Sequence, residues 1–156
     1  MSDRVVAQGA PELAPGVVAI NGAELHADVR ALAQQPNVAA VSTLLRSGQP
    51  HTQLTWIDAD GHHLLVNTLP FTQKYRNVSR DPRVTVLVID RNDPEHYAEI
   101  RGRVVEVAEG QMAVEHADRL ARRYSGTEYR GPSQRVVLRV EPVRQIMRSN
   151  PWRYDV

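Results

Sequence analysis

The sequence predicts a mainly β (α+β) domain in which six antiparallel strands form a small barrel with peripheral helices. Short segments of alternating apolar and polar residues follow one another too closely for the crossovers that parallel strands need. Residues 84–90 also carry apolar side chains on both faces, because valines alternate with Leu87 and Ile89. A strand with two apolar faces is buried on both sides, as in a barrel.

Composition restricts the class of protein. A chain of 156 residues with 42% hydrophobic and 24% charged residues is typical of one globular domain. A formal net charge of +1 argues against a protein that binds nucleic acid through its phosphates. The absence of cysteine excludes disulfides, thiolate nucleophiles and cysteine-ligated metals. No segment resembles a signal peptide or a membrane span, so a cytoplasmic protein without a membrane partner is expected.

The chain divides into two predicted parts. Residues 1–20, which are rich in proline and glycine, are expected to form a flexible N-terminal segment, and residues 21–156 a single domain. Residues 21–24 (Asn-Gly-Ala-Glu) have the spacing of a capping box, which predicts a first helix that ends before Pro36. Near the C-terminus, Trp152 is expected either to close over a ligand cleft or to anchor a frayed tail.

Period-two alternation and turn residues place the other elements. The six predicted strands cover residues 38–46, 51–58, 62–68, 84–90, 97–107 and 135–148. A short helix is predicted between Pro70 and Pro82, and a second long helix over residues 113–124. Three arginines of the long helix are expected either to form a solvated face with nearby carboxylates or to grip an acidic ligand. They are Arg119, Arg122 and Arg123.

Motifs for several known chemistries are absent. There is no phosphate-binding loop, no dinucleotide-binding glycine pattern and no nucleophile elbow. The six histidines show no ligand spacing, and the adjacent His62 and His63 point to opposite faces of a strand. Residues 58–61 resemble the start of a calcium loop, but Leu69 stands where that loop needs a glutamate, so a hairpin turn is predicted instead.

The segment after the third predicted strand carries the strongest chemical signal. Pro70 cannot continue a strand ladder and Thr72 is a suitable N-cap, so Gln73 and Lys74 fall in the first turn of a helix. That turn exposes backbone N–H groups that favour anions, whereas Lys74, the only lysine of the chain, is a cation. The mismatch indicates either a bound phosphate or carboxylate, or a solvated lysine on a surface helix.

A series of short motifs runs in order along residues 38–148. They are Gly48-Gln49-Pro50-His51, Trp56, Asn67-Thr68, Gln73-Lys74-Tyr75-Arg76-Asn77-Val78, Asp81-Pro82-Arg83-Val84, Glu99-Ile100-Arg101-Gly102-Arg103-Val104, Arg119-Leu120-Ala121-Arg122-Arg123-Tyr124 and Arg135-Val136-Val137-Leu138-Arg139-Val140. The series resembles the pyridoxamine-phosphate-oxidase-like split β-barrel family. Within that family it is most similar to the branch of oxidoreductases that use the deazaflavin coenzyme F420. No single motif is diagnostic, and the order of the series carries the resemblance.

The resemblance implies an FMN-binding split-barrel fold and a homodimer with its cofactor clefts at the subunit interface. It implies hydride transfer between reduced F420 and an electron-poor small-molecule substrate, with FMN as the alternative cofactor. The cofactor phosphate would lie at the end of the third strand and on the following helix, and the ring beside the second strand. The implied cofactor-binding residues are Gln53, Leu54, Thr55, Trp56, Asn67, Thr68, Thr72, Gln73, Lys74, Arg76, Asn77 and Tyr97. No catalytic acid or base and no metal ligand is expected.

One position departs from the pattern of that branch. Many of its members carry an arginine two residues before the lysine, where this chain has Thr72. The phosphate would then lose a charged donor and gain a hydroxyl. Arg76 and Arg80 are the candidates to compensate for the missing charge.

Three classes of function remain open from the sequence. The first is an F420-dependent oxidoreductase, in which the cofactor carries the chemistry. The second is an FMN-dependent oxidase or reductase. The third is a non-catalytic module that binds a cofactor or a haem, with His51 or His96 as the axial ligand. The first is favoured because the resemblance is closest there, and because an arginine-rich composition is typical of GC-rich bacteria, such as actinobacteria, that make deazaflavins.

Overall fold

The computed structural model describes residues 13–149, which contain eight strands and three helices. The strands are β1 (Val17–Asn21), β2 (Val38–Leu44), β3 (Pro50–Thr55), β4 (Asp58–Ala59), β5 (Leu64–Thr68), β6 (Arg83–Asp90), β7 (Asp93–Glu109) and β8 (Val136–Arg148). The helices are α1 (Ala27–Ala33), α2 (Gln73–Arg80) and α3 (Gln111–Ser125). None of these helices has the length and apolar character needed to cross a membrane. Trp152 lies outside the described residues.

All the strands belong to one antiparallel sheet. Neighbouring strands follow the order β3-β2-β6-β7-β8-β5-β4, and β1 pairs with β8 beside this path. The sheet curls into a half-barrel with the three helices around it, so the predicted antiparallel split barrel is confirmed. Strands β3 and β4, which are almost consecutive in the chain, lie at opposite ends of the sheet path.

The core lies on one face of this sheet. Val41, Val86 and Ile100 sit side by side on β2, β6 and β7, and each is at most 1% exposed. Helix α1 covers them with Val29, and α2 adds Val78. Each fully buried aliphatic side chain contributes about 1.5–3 kcal/mol to stability.

The first helix begins later than the sequence predicts. Asn21 is the last residue of β1, so the predicted capping box does not form. Helix α1 begins later, at Ala27, where the His26 imidazole accepts a hydrogen bond from the Asp28 N–H at 3.1 Å. The end of the segment predicted as flexible therefore belongs to the sheet, while residues 1–12 lie outside the described part of the chain.

The second predicted strand is interrupted between β3 and β4. At the break, the Ile57 N–H donates to the Tyr124 hydroxyl at 3.1 Å, and that hydroxyl donates to the Asn37 carbonyl at 2.6 Å. Trp56 stacks on the Tyr124 ring, with the ring centroids 5.3 Å apart. A side chain from α3 thus holds the chain at the point where it leaves one end of the sheet path for the other.

The sheet face away from the core carries a row of mainly apolar side chains. Cross-strand pairs place its members next to one another on β3, β2, β6, β7, β8 and β1. They are Leu54, Ala40, Leu87, Glu99, Ile146 and Ala19. Leu54 is 72% exposed, and the other members are partly exposed. We call this set the outer row.

The close approach of β7 and β8 at residue 102 requires a glycine. At Gly102 the register shifts, and a Cβ at this position would lie 2.4 Å from the Glu141 carbonyl oxygen. We expect Gly102→Ala to lower the free energy of unfolding by about 1–3 kcal/mol, measured by urea denaturation. Gly61→Ala is the control, because a Cβ there meets nothing within 4 Å. Equal stability of the two variants would contradict this close approach.

Candidate functional site

Helix α2 begins directly after the turn that follows β5. The Thr72 hydroxyl accepts a hydrogen bond from the Tyr75 N–H at 3.4 Å and donates to the Leu69 carbonyl at 3.0 Å. The Thr68 hydroxyl lies 3.1 Å away and, because the Thr72 hydrogen is already used, donates to Thr72. The predicted N-cap is therefore confirmed, and the first-turn N–H groups of α2 have no acceptor within the helix.

Lys74 is buried at this helix end, with 8% of its surface exposed. Its Nζ donates to Gln53 Oε1 on β3 at 3.3 Å, and it forms no ion pair with any carboxylate of residues 13–149. Burial lowers the pKa of the Lys74 ammonium, and the positive charge of Arg135 lowers this pKa further. The solvated-lysine alternative is thereby ruled out.

Arg135 is the second cation of the site, and it comes from far along the chain. Strand β5 pairs with β8 so that Thr68 lies opposite Val136, which brings Arg135 beside the start of α2. Its Nε donates to Asn67 Oδ1 at 2.7 Å, and its Nη1 donates to the Tyr129 hydroxyl at 3.2 Å. The guanidinium also lies over the Tyr129 ring, 5.1 Å from its centroid. None of these partners carries a negative charge.

Helix α3 holds Asn67 from the other side. Asn67 Nδ2 donates to the Ala113 carbonyl at 2.8 Å and lies 3.0 Å from His116 Nδ1. His116 Nε2 in turn lies 2.8 Å from Asp58 Oδ2, and Arg123 donates to Asp58 Oδ1 at 2.9 Å. Burial raises the pKa of the Asp58 carboxyl, but the hydrogen bonds from His116 and Arg123 outweigh burial and leave this pKa below its usual value. The one carboxylate of the network is therefore matched by Arg123.

Asn77 attaches α2 to the sheet, and Gln73 holds the Asn77 amide from within the same helix. Gln73 Nε2 donates to Asn77 Oδ1 at 2.8 Å, and Asn77 Nδ2 donates to Thr43 Oγ1 at 2.9 Å. Asn77 has no exposed surface. Both side chains therefore fix the position of α2, and with it the position of Lys74.

The expected compensation by Arg76 or Arg80 requires a correction. Arg76 is exposed and donates to the Phe71 carbonyl at 2.9 Å, while Arg80 donates to the Leu44 carbonyl. Both side chains line a separate surface groove that Lys74 does not reach. The hydroxyl of Thr72 is likewise no free donor, because its hydrogen is used within the cap. The second charge beside Lys74 comes from Arg135.

Only part of the predicted β3 segment faces α2. Gln53 points toward Lys74, and because side chains alternate along a strand, Leu54 points to the opposite face, where it belongs to the outer row. Thr55 is the last residue of β3 and half-buried. Trp56 is half-buried and stacks on Tyr124 of α3.

Tyr97 lies apart from the other predicted residues within this chain. It lines a groove of about 1010 Å³ between α1, the turn that joins β6 to β7, and the end of β8. None of the α2 residues borders this groove. Tyr97 and Lys74 therefore do not form one site within a single chain.

The two histidines considered as haem ligands, His51 and His96, lie in different parts of the structure. His96 Nδ1 lies 3.0 Å from Asp90 Oδ2, next to the groove of Tyr97. His51 is on β3, and its buried Nδ1 has no hydrogen-bond partner among the described residues. Residues 13–149 contain no group of three side chains that could hold a metal ion.

The arginines of α3 have divided roles. Arg122 pairs with Asp118 on the helix surface at 2.9 Å, as expected for a solvated face. Arg123 turns inward to Asp58 instead. Arg119 is exposed and forms no ion pair with a carboxylate among residues 13–149. None of these three arginines therefore contacts Lys74, and Arg123 is connected to the site only through its hydrogen bond to Asp58.

Sequence reasoning missed three residues of the site: Arg135, His116 and Asp58. Arg135 was the first residue of a predicted strand, and only the pairing of β5 with β8 reveals its position beside α2. His116 is on the buried face of α3, three residues from Ala113 and four from Leu120, and this spacing was the available signal. Asp58 was interpreted as part of a turn, although it is buried in β4.

The curled antiparallel sheet is a split β-barrel. Lys74 and Arg135 lie at the N-terminus of α2, where N–H groups favour an anion, and no carboxylate among residues 13–149 pairs with either cation. A family model described as pyridoxamine 5'-phosphate oxidase matches residues 25–147, which is most of the chain. The protein belongs to this family.

Solved structures with this fold include several proteins from bacteria. One named F420 Reductase is 27% identical, with a TM-score of 0.68, over 78% of this chain and 98% of its own. The conserved hypothetical protein Rv2991 from Mycobacterium tuberculosis is 20% identical, with a TM-score of 0.67, over 88% and 90% of the two chains. A putative pyridoxamine 5'-phosphate oxidase from Listeria innocua is also 20% identical, with a TM-score of 0.61, over 77% and 94%. A comparison with curated proteins gives no match.

The two-cation site leads to a prediction for Lys74. Because its lowered pKa means that the charged form is disfavoured in the folded protein, Lys74→Met should leave the thermal midpoint without ligand unchanged or raise it. The same change should weaken binding of inorganic phosphate about ten- to hundredfold, since a charged donor contributes about 1.5–3 kcal/mol. Isothermal titration calorimetry measures the affinity for phosphate, and differential scanning calorimetry measures the thermal midpoint.

Arg76→Met is the matched control for this experiment, because Arg76 is a cation on the same helix that faces the other groove. It should change phosphate affinity by less than about twofold, which corresponds to about 0.4 kcal/mol. Phosphate binding that is equal in Lys74→Met and in the parent would show that the anion lies elsewhere.

Proposed function

We propose that the protein is an F420-dependent oxidoreductase whose Lys74 and Arg135 bind the phosphate of the deazaflavin. The substrate class is an electron-poor small molecule that exchanges a hydride with the cofactor. The family assignment supports a flavin-type cofactor. The similarity to a protein named F420 Reductase, at 27% identity over nearly all of that chain, supports the deazaflavin.

The observation that carries the proposal is the uncompensated charge at the start of α2. Two cations beside each other cost free energy unless an anion is bound, and a buried lysine is especially costly. Lys74 has one neutral partner, Gln53, and Arg135 has two, Asn67 and Tyr129. The residues present therefore fit a phosphate group, which would accept hydrogen bonds from both cations and from the first-turn N–H groups of α2.

When bound, the deazaflavin supplies the hydride chemistry, and the protein supplies binding and orientation. Gln53 holds the Lys74 ammonium toward β3, and Asn67 holds the Arg135 guanidinium toward β5. Asn77, which is fully buried, fixes the helix that carries Lys74. The side chains of Gln53, Asn67 and Asn77 carry no proton that can be donated at neutral pH, and the proposal assigns Lys74 and Arg135 to the phosphate, so a proton for the substrate would come from solvent.

FMN is the second candidate, because the same phosphate site suits both cofactors. The family description names an oxidase, and so does the name of the Listeria innocua protein. An FMN-dependent oxidase or reductase would use Lys74 and Arg135 in the same way. The two candidates differ in the ring that must fit beside the phosphate site, and binding experiments separate them.

We also propose a homodimer in which the outer row forms the centre of the subunit interface. Five of its six members are apolar, and the sixth, Glu99, lies between Leu87 and Ile146. On one side of the row, the next cross-strand pairs are polar and include Thr52, Thr85 and Arg101, and on the other side they include Val38, Ile89 and Tyr97. A mainly apolar surface with polar residues at its edge is typical of a dimer interface. In such a dimer, Leu54 and Tyr97 would act at the cleft of the partner subunit.

The choice of cofactor is tested by titrating the purified protein with F420 and with FMN and following the fluorescence of each. We expect at least about tenfold tighter binding of F420, which is about 1.4 kcal/mol. Lys74→Met should weaken binding of both cofactors, because both carry a phosphate. Retention of FMN through purification, with no response to F420, would support the FMN-dependent alternative instead.

The dimer is tested by sedimentation at micromolar concentration. The parent protein should sediment as a dimer with two-fold symmetry, and Leu87→Glu should convert it to a monomer because it places a charge in the outer row. Met112→Glu is the control, since Met112 is a similarly exposed apolar residue on α3. A parent protein that is monomeric throughout this range would contradict both the interface and the shared cleft.

A further inference from the structure

A chain of hydrogen bonds runs from the candidate phosphate site through the interior to α3 and β4. Its members, in order, are Arg135, Asn67, His116 and Asp58, joined by distances of 2.7, 3.0 and 2.8 Å. Asn67 and His116 are 6% and 1% exposed. Arg123 closes the far end on Asp58 at 2.9 Å. Only the first member, Arg135, belongs to the proposed phosphate site itself.

In this chain of hydrogen bonds, the donor or acceptor role of each atom fixes the role of the next. Arg135 Nε can only donate, so the Asn67 atom that faces it is the carbonyl oxygen. The Ala113 carbonyl can only accept, so the Asn67 atom that faces it is the amide nitrogen. The second hydrogen of that nitrogen points to His116 Nδ1, which must therefore be an acceptor. The proton of a neutral His116 is then on Nε2, which donates to the Asp58 carboxylate.

The imidazole thus supports one orientation of the Asn67 amide. If the amide turned over, it would present an NH2 group to the Arg135 guanidinium and an oxygen to the Ala113 carbonyl. Neither contact is a hydrogen bond, and burial excludes water from this region. The Arg135 side chain, which is only half-buried, would lose its hydrogen bond to Asn67 and keep only the one to Tyr129.

We infer that His116 is a positioning residue for the anion site: as a neutral, Nε2-protonated imidazole, it holds Asn67 in the orientation that keeps Arg135 beside Lys74. The inference rests on the proposed phosphate site for its functional consequence. The geometry of the chain of hydrogen bonds stands independently of the cofactor. A side chain on α3 with no contact to the ligand would then control ligand affinity through one amide.

Three variants separate positioning from simple structural support. His116→Gln keeps an oxygen for Asn67 and an N–H for Asp58, so it preserves both contacts without an imidazole. His116→Leu fills the space and removes both contacts. Arg135→Met removes the group on which the positioning acts. His116→Gln and His116→Leu are made in the parent and in the Arg135→Met background, which gives a double-mutant cycle.

The functional readout is the affinity for inorganic phosphate. We expect His116→Leu to weaken it about tenfold in the parent and His116→Gln less than twofold. In the Arg135→Met background, His116→Leu should have no further effect, because the residue that it positions is already absent. An equal loss in both backgrounds, or an equal loss in the Gln and Leu variants, would overturn the inference.

A second readout needs no ligand, and its first part needs only the parent protein. Nitrogen-15 NMR of the parent protein should show His116 protonated on Nε2 and not on Nδ1. The Arg135 Nε–H should be protected from exchange in the parent and in His116→Gln, and unprotected in His116→Leu. The opposite tautomer, or an unprotected Arg135 Nε–H in the parent, would overturn the inference. Protection without any phosphate binding would leave the positioning intact and contradict the proposed function instead.

Discussion

The candidate site depends on two like charges that are held together by neutral partners. Lys74 and Arg135 approach closely enough for the guanidinium to lower the pKa of the ammonium, and no carboxylate in the described part of the chain pairs with either group. Such an arrangement stores unfavourable free energy in the unliganded protein. The rest of the fold must therefore hold both side chains in place. Anion binding converts that cost into affinity, because the repulsion is removed when a phosphate lies between the cations.

Three parts of the fold share the task of holding these charges. The pairing of β5 with β8 places Arg135 next to the start of α2. The Asn77–Thr43 hydrogen bond fixes α2 on β2, and the Tyr124 hydroxyl fixes α3 where the chain passes from β3 to β4. Each contact is between buried neutral groups, which makes it insensitive to salt and to ordinary changes of pH. The charges at the site are thus carried by a scaffold that does not itself depend on ion pairs, with the Asp58–Arg123 pair as the exception.

Local sequence signals were sufficient for much of the fold and for half of the site. Alternating residues predicted the main strands, and Thr72 predicted the start of α2, because caps and pleats depend on neighbours in the chain. The same local reasoning placed Lys74 at the helix N-terminus. It could not find Arg135 or His116, whose roles arise from the strand order and from helix packing rather than from spacing. It also grouped Leu54 and Arg76 with Lys74, although their side chains point away from Lys74 within one chain, since proximity in sequence does not reveal the face to which a side chain points.

The presence of threonine rather than arginine at position 72 is explained by the same separation between the residues that carry the charges and the elements that hold them in place. A threonine there caps α2 and accepts from Thr68, and an arginine would remove both contacts while adding a third cation to a site that already has two. An N-cap contributes about 1 kcal/mol to helix stability. With Arg135, the residue before β8, the candidate site keeps two positive charges, which would suit one phosphate. Under the proposed function, the charge missing at position 72 would come from a different part of the chain, and that part is positioned through Asn67 and α3 rather than through α2.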